Sequence, residues 1–278
     1  MRHLLSIILT FKIFISFGQV PKDTTNEIKK HNIALVTTST VVLQKGIINS
    51  EESTNFFTFY DENGRPTENR FSNLKDRKVT VYRFQYGKCG EYERWEWLEY
   101  HDGKTDTIQI QAVSFNNICQ MEKIVWADST DSITNIRYLT YDGKRRQTKE
   151  VDKNSKNEIT SFVIYSYPDS LTIDKKRFFG DSSFWYHSRE YFDTKGNALY
   201  SSSFDKENIE TIDQGKTKYT YNDNKIAETL IHDTEGNIVA KTTFFYNSDG
   251  LVERTISKSL SKDDDSETIS TNRYIKRN

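Results

Sequence analysis

The segment Glu91–Tyr100 contains the residue types in this chain that are best suited to binding or hydrolysing a carbohydrate. Because its polar and aromatic residues alternate, one face of a predicted strand carries Glu93, Trp95, Trp97 and Glu99. Indole rings offer flat apolar surfaces to sugar rings. A pair of glutamates can supply the two carboxyl groups that catalyse glycoside hydrolysis. The same pattern is typical of a Trp pair packed in a core with solvated glutamates at the strand ends, and the pattern favours this structural interpretation.

Other patterns for catalysis or metal binding do not occur in the sequence. The five histidines lie far apart, outside any spacing that binds zinc. There is no Gly-x-Ser-x-Gly nucleophile turn and no Gly-rich phosphate loop. The acidic run Asp263–Asp265 offers hard oxygen ligands but lacks a calcium-loop pattern, so it is typical of a solvated turn. We therefore predict neither a cofactor nor a metal site.

The composition indicates a β-protein rich in aromatic residues. The chain of 278 residues is 35% hydrophobic and contains 16 Tyr and 17 Phe. These residue types suit a pleated, half-buried surface. The 39 Lys+Arg and 40 Asp+Glu residues are interspersed along the chain. No basic arm or stripe indicates a nucleic-acid partner.

The N-terminal residues 1–18 form a continuous apolar run. The run is short for a bilayer span and contains Lys12, which favours a cleaved signal peptide over a membrane anchor. Residues 19–32 are polar and predict a flexible leader. We expect an exported protein of the periplasm or cell surface, with no transmembrane segment after signal cleavage.

The chain contains two cysteines, Cys89 and Cys119. In the oxidising compartment that export implies, they can form one disulfide that closes the loop between them. Two buried, unpaired thiols are the alternative.

Residues 33–278 repeat one pattern, in which an aromatic or β-branched run leads into a polar turn. Asp, Asn and Gly suit tight hairpin turns because they tolerate positive φ or hydrogen-bond to their own backbone. We predict an all-β fold in a single domain, with tandem antiparallel β-hairpins that form one long twisted or rolled sheet. The predicted turn residues are Asp61, Gly64, Asp142, Gly143, Asp193, Gly196, Asp233, Gly236, Asn247 and Gly250.

Several of these turns resemble known repeats. Tyr141-Asp142-Gly143 and the segment Tyr246–Gly250 resemble the YD repeats of Rhs-like secreted or wall-associated bacterial proteins, and that resemblance implies successive hairpins in a large curling sheet. The unit Phe59–Arg65 looks like the hairpin of MORN-variant, YwqK-like antitoxin proteins. That second resemblance implies an antitoxin or immunity-like binder.

These observations predict a non-enzymatic, exported β-repeat protein that binds an envelope polysaccharide or another envelope protein. One alternative is a glycan-active enzyme that uses the face of Glu93, Trp95, Trp97 and Glu99. The other is the antitoxin-like binder.

Overall fold

The structure is a computed structural model, and it describes residues 22–73, 79–101, 104–204, 213–223, 225–260 and 266–277. The predicted signal peptide, residues 1–18, lies outside the described residues, as does the acidic run Asp263–Asp265. No helix in the described ranges is long and apolar enough to cross a membrane.

One helix precedes eighteen strands, whose β-branched and aromatic runs match the predicted pattern. The helix α1 is Lys22–Lys30, and the strands are β1 Ile33–Gln44, β2 Ile47–Tyr60, β3 Pro66–Asn73, β4 Val79–Tyr86, β5 Tyr92–His101, β6 Lys104–Phe115, β7 Met121–Asp128, β8 Ile133–Tyr141, β9 Gln147–Asn154, β10 Ile159–Ser166, β11 Thr172–Phe179, β12 Phe184–Phe192, β13 Ala198–Phe204, β14 Asp213–Asn222, β15 Lys225–His232, β16 Ile238–Tyr246, β17 Val252–Ser259 and β18 Ser266–Lys276.

The strands form a closed β-barrel because the last strand pairs with the first. Each strand is antiparallel to the next, and β18 then pairs with β1, where Val36 lies opposite Tyr274. The prediction of an all-β antiparallel fold is confirmed. The prediction of one long twisted or rolled sheet is corrected, because closure pairs the backbone groups that two edge strands would leave free.

The barrel is wide. Among the described residues, each strand contacts its neighbours along the ring and none contacts a strand across it. Barrels of this strand number are too wide for side chains to fill. The fully buried large side chains in the described part of the chain are Ile28 and Ile33, both at one end. Both faces of the wall are therefore open to solvent over most of the ring.

The hairpin turns share one hydrogen-bonding scheme. After β2, the Asp61 side chain accepts hydrogen bonds from the backbone N–H groups of Asn63 and Arg65, both at 2.9 Å. Gly64 adopts a φ of 75°, as a type I turn with a following left-handed residue requires. Turn residues with the same acceptor role are Asp142, Asp193, Asp233 and Asn247.

The left-handed position of these turns is not always a glycine. Gly196, Gly236 and Gly250 occupy it, with φ values of 84°, 84° and 78°. In the turn after β8, however, Arg145 has a φ of 66°. Gly143, which the sequence pattern singled out, lies two residues earlier in that turn.

Bulges beside the turns curve the sheet. Tyr60 lies opposite Pro66 while Phe59 lies opposite Glu68, so Thr67 is the extra residue in β3. The pairs β4/β5, β8/β9 and β16/β17 show the same shift next to their turns. A bulge bends its strand and increases the local twist, which helps an eighteen-stranded sheet to meet itself.

Aromatic residues lie at one end of the barrel, called the tyrosine end below, where the even-numbered strands finish. The Tyr141 hydroxyl donates a hydrogen bond of 2.6 Å to the carbonyl oxygen of Met121, the first residue of the preceding strand. Five other tyrosines make the equivalent bond to a neighbouring strand: Tyr86, Tyr167, Tyr221, Tyr246 and Tyr274.

Helix α1 packs on the tyrosine end, although the sequence predicted a flexible leader there. Ile28 is 1% exposed and packs in a cluster with Ile33, Val36 and Leu251. A Cβ on Gly64 would lie 2.5 Å from the carbonyl oxygen of Thr25, so the close approach of the helix requires glycine. A single buried isoleucine among polar residues is too weak a pattern to distinguish such a helix from a solvated leader.

Candidate functional site

Strands β4 and β5 bring the predicted Trp pair together with a tyrosine. Tyr82 lies opposite Trp97, and the next pair on the same face is Phe84 and Trp95. The Tyr82 ring centroid is 5.8 Å from that of Trp95 and 6.1 Å from that of Trp97. These distances are typical of interacting aromatic rings. All four rings are partly exposed, so they pack on each other and also present surface to solvent.

The barrel register extends this cluster into a row across five neighbouring strands. Cross-strand partners share a face, and the successive partners from β4 to β8 are two rings, an amide, a third ring and a second amide. Four gaps between strands give the row a length of about 19 Å. We call it the aromatic row; its members are Phe84, Trp95, Gln111, Trp126 and Asn135.

Polar atoms along and beside the row are buried without a protein partner in the described part of the chain. They are the indole nitrogen Nε1 of Trp97 and the amide oxygens of Asn69 and Asn135. Asn69 lies opposite Tyr82, so it borders the aromatic cluster. These polar atoms are enclosed, so the accessible part of the cluster is its partly exposed ring faces, which suit the apolar face of a sugar.

One end of the row is held by a buried ion pair. The Arg137 guanidinium lies 5.6 Å from the Trp126 ring centroid and donates two hydrogen bonds to Asp152, of 2.7 and 3.0 Å. Ser161 donates a third hydrogen bond to the same carboxylate, at 3.0 Å. Burial lowers the pKa of Arg137, but the hydrogen bond to Asp152 and the charge of Glu150 outweigh this effect and raise it overall. The guanidinium is therefore charged and fixed beside the row.

The two glutamates of the predicted site lie apart. The Glu93 carboxylate packs over Gly87 near the tyrosine end. Glu99 lies near Tyr82, whose pKa is raised by burial and by the Glu99 charge. Six residues along a strand span about 20 Å, whereas the two carboxyls of a glycosidase are within about 10 Å of each other. Glu93 and Glu99 are too far apart to act as such a pair.

Sequence reasoning identified Trp95 and Trp97 but missed the partners from other strands. No sequence motif marks Phe84, Gln111 or Asn135. They join the row only through the successive pairings of the strands from β4 to β8. The sequence showed Trp126 as an aromatic residue in a predicted strand. Its alignment with Trp95 could not be predicted, because bulges at Trp97/Leu98 and Ser114/Phe115 shift the register between β5 and β7.

The two cysteines are bonded to each other in the structure, across neighbouring turns at the tyrosine end. Cys89 follows β4 and Cys119 follows β6, with 5.4 Å between their Cα atoms. The bridge encloses the β5–β6 hairpin, which carries Trp95 and Gln111 of the aromatic row. No three His, Cys, Asp or Glu side chains in the described ranges are placed to hold a metal ion.

Comparisons with known proteins do not assign a family. No family model matches the chain, and no curated protein matches it. Among solved structures, a porin-like protein from Bacteroides uniformis is 11% identical, with 88% of this chain and 97% of that one covered and a TM-score of 0.43. The LolA superfamily protein NE2245 from Nitrosomonas europaea is 6% identical, with 92% and 93% covered and a TM-score of 0.31. A DUF1329 family protein from Desulfovibrio piger is 7% identical, with 90% and 87% covered and a TM-score of 0.28.

The resemblance to YD-repeat and MORN-variant proteins was wrong as a family assignment. No family model matches, and the hairpins close into an eighteen-stranded barrel. The resemblance has a physical source in the turn itself. A five-residue turn with an Asp acceptor and a left-handed fourth residue calls for Asp and Gly at fixed positions in any fold that uses it.

Proposed function

We propose that this chain is an exported, non-catalytic protein of the cell envelope that binds a polysaccharide along the aromatic row. The observation that carries the proposal is a row of three partly exposed rings, Phe84, Trp95 and Trp126, across neighbouring strands, with the buried Gln111 between the two indoles. Sugar units of one chain would lie on successive strands, with ring faces on Trp95 and Trp126.

Two further observations support export. The apolar run at residues 1–18 is typical of a signal peptide. The bond between Cys89 and Cys119 suits an oxidising compartment outside the cytoplasm. Binding without catalysis is supported by the separation of Glu93 from Glu99, which removes the carboxylate pair on which the hydrolase alternative depended.

The distribution of tryptophan gives a direct test. The chain contains four Trp, of which Trp95, Trp97 and Trp126 lie in or beside the aromatic row. Trp185 on β12 is outside it. In a Trp185→Phe background, titration with soluble fragments of the producing cell's envelope polysaccharide should shift the remaining Trp emission.

Alanine variants supply the matched control. Trp95→Ala with Trp126→Ala should weaken binding at least tenfold, because truncating an aromatic anchor at a binding surface typically costs more than about 1 kcal/mol. Trp185→Ala, at an equally large exposed ring, should leave binding unchanged. Retention of full affinity in the double variant, or capture of one envelope protein with no polysaccharide bound, would refute the proposal.

A further inference from the structure

The face of the wall that carries the aromatic row, called the aromatic face below, has few basic side chains. Strand alternation and register place two of them on this face within the described parts of β1 to β8, Lys104 and Arg137. Lys104 is the first residue of β6 and lies about 23 Å along that strand from Gln111. Of the two, Arg137 is therefore the basic group beside the row.

The charge of Arg137 is already engaged within the chain. Its guanidinium donates two hydrogen bonds to Asp152, and the Glu150 carboxylate lies 3.4 Å from it. Two carboxylates thus surround one guanidinium. An acidic group placed over this end of the row would meet these carboxylates and no unpaired cation.

Asp128 adds a negative charge along the side of the row. It lies two residues from Trp126 on β7, about 7 Å away, and opposite Gln109, the partner of Trp97. Its carboxylate accepts hydrogen bonds from the hydroxyl and the backbone N–H of Thr130, at 2.7 and 2.8 Å, and these bonds lower the pKa of Asp128. The carboxylate is therefore ionised at neutral pH.

The aromatic face is uncharged where it continues from the row towards β1. Tyr82 on β4 lies opposite Asn69, which lies opposite Thr58 on β2. The next positions along the same strands are occupied by Thr80, Phe71 and Phe56. None of these side chains carries a charge, so this flank supplies no counter-charge for an acidic ligand either.

The charge of Asp128 reaches a ligand that lies on the row. Charges in water interact over about 8 Å at physiological ionic strength, and Asp128 is about 7 Å from Trp126. A polymer with an acidic group in each repeat would place several charges along the row's length of about 19 Å. Some of these charges would come within reach of the carboxylate, whereas a polymer whose polar groups are all uncharged would not be repelled.

We propose that the aromatic row binds polysaccharide chains that have no acidic groups and excludes acidic ones, with Asp128 as a specificity-determining residue. This inference rests on the proposed function and deepens it, since it specifies the charge of the ligand. It also excludes nucleic acids, whose phosphates would meet the same carboxylates.

The test compares ligands that differ in charge. Soluble fragments of the producing cell's envelope polysaccharide are separated by anion exchange into neutral and acidic fractions of equal length. Calorimetric titration of the full purified chain should show at least tenfold tighter binding of the neutral fraction. The acidic fraction after methyl esterification of its carboxylates is the matched control and should bind more tightly than the free acid. An ester that binds no better would show that sugar composition makes the selection, which would overturn the proposal.

Salt reveals the sign of the interaction. Screening of a repulsion should raise the affinity for the acidic fraction between about 50 and 500 mM salt, and the affinity for the neutral fraction should stay constant. A cationic site would instead lose affinity over this range, because the bound polyanion releases counterions. A fall in the affinity for the acidic fraction would therefore contradict the proposal.

A conservative variant tests Asp128 itself. Asp128→Asn removes the charge and keeps an oxygen that can accept the bonds from Thr130. It should strengthen binding of the acidic fraction about threefold, as expected for one unit charge at about 7 Å in water, and leave binding of the neutral fraction unchanged. Asp181→Asn makes the same change in the turn after β11, where Asp181 accepts the equivalent bonds from Ser183, and should alter neither affinity. An acidic-fraction affinity that is the same in Asp128→Asn and the wild type would refute the role of Asp128.

The outcomes distinguish this inference from the proposed function. Equal binding of the neutral and acidic fractions, lost in Trp95→Ala with Trp126→Ala, would overturn the charge selection and leave the proposed function standing. Absence of binding to every fraction would refute the proposed function, and this inference with it.

Discussion

The two faces of the wall between β4 and β11 differ in chemistry. The aromatic face carries the aromatic row on β4 to β8, and the other face, called the lysine face, carries Lys123, Lys149 and Lys176 on β7, β9 and β11. Each face also has a buried aspartate that accepts two hydrogen bonds from a partly exposed arginine: Asp152 from Arg137 on the aromatic face, and Asp174 from Arg189 on the lysine face. The pairs differ in that His187 packs against Asp174. Side chains at alternate positions of one strand lie on opposite faces, so each face has its own set of cross-strand contacts.

The largest expected effect comes from removing either buried aspartate. The Asp152 and Asp174 side chains are each 8% exposed. Asp152→Ala or Asp174→Ala removes two charge-assisted hydrogen bonds to an arginine, which together cost about 3–5 kcal/mol. Arg137 keeps the Glu150 carboxylate 3.4 Å away. Urea unfolding measures this cost, and Asp181→Ala in an exposed turn should lower the urea midpoint much less.

Trp fluorescence extends this comparison. Asp152→Ala releases Arg137 from its position beside Trp126 and should alter the emission, whereas Asp174→Ala should not. A similar spectral change in both variants would show that the two faces are coupled after all.

The next largest effect is expected from the disulfide. Replacing Cys89 and Cys119 by serine opens a loop with a sequence separation of 30 residues. Chain-entropy arguments give a loss of about 3–4 kcal/mol for such a loop. Hydrogen exchange should increase mainly in β4 to β7, which carry most of the aromatic row, and less in β9 to β11. An unchanged urea midpoint after reduction would contradict this prediction.

A smaller, pH-dependent effect is expected on the lysine face alone. Burial lowers the pKa of His187 below its ordinary 6.5, against the opposing effect of Asp174. The unfolded chain then binds a proton more readily than the folded chain, so stability is full above pH 6.5 and falls as the pH drops below it. Thermal unfolding at several pH values measures the slope. His187→Gln should flatten that slope, and a variant with the wild-type slope would rule out His187 as its source.

The smallest effect is expected at the tyrosine end. Tyr246 donates a hydrogen bond of 2.8 Å to the Ile226 carbonyl oxygen. Tyr246→Phe keeps the ring and removes this bond, at a cost of about 0.5–1.5 kcal/mol. Tyr138→Phe on the lysine face is the control, because its hydroxyl makes no hydrogen bond within the described ranges. Equal unfolding free energies for the two variants would argue against a stabilising role for the tyrosine bonds.

Much of the local structure was predictable from residue types. The hairpin turns follow from Asp at the first position and a residue that tolerates left-handed φ at the fourth, as at Asp61 and Gly64. Helix α1 was not predictable, because Ile28 is buried only through contacts with Ile33 and Leu251, which lies far along the chain. Of the candidate site, the Trp pair was predictable and Gln111 was not.

By itself the sequence determined strands, turns and the residues that alternate along each strand, because these depend on neighbours a few positions apart. Closure of the sheet was decided by the tertiary structure, since the pairing of Val36 with Tyr274 joins opposite ends of the chain. Tertiary structure also separated the charges. Lysines and carboxylates are interspersed along the sequence, and the register across strands gathers Lys123, Lys149 and Lys176 on one face while it aligns Trp95 with Trp126 on the other.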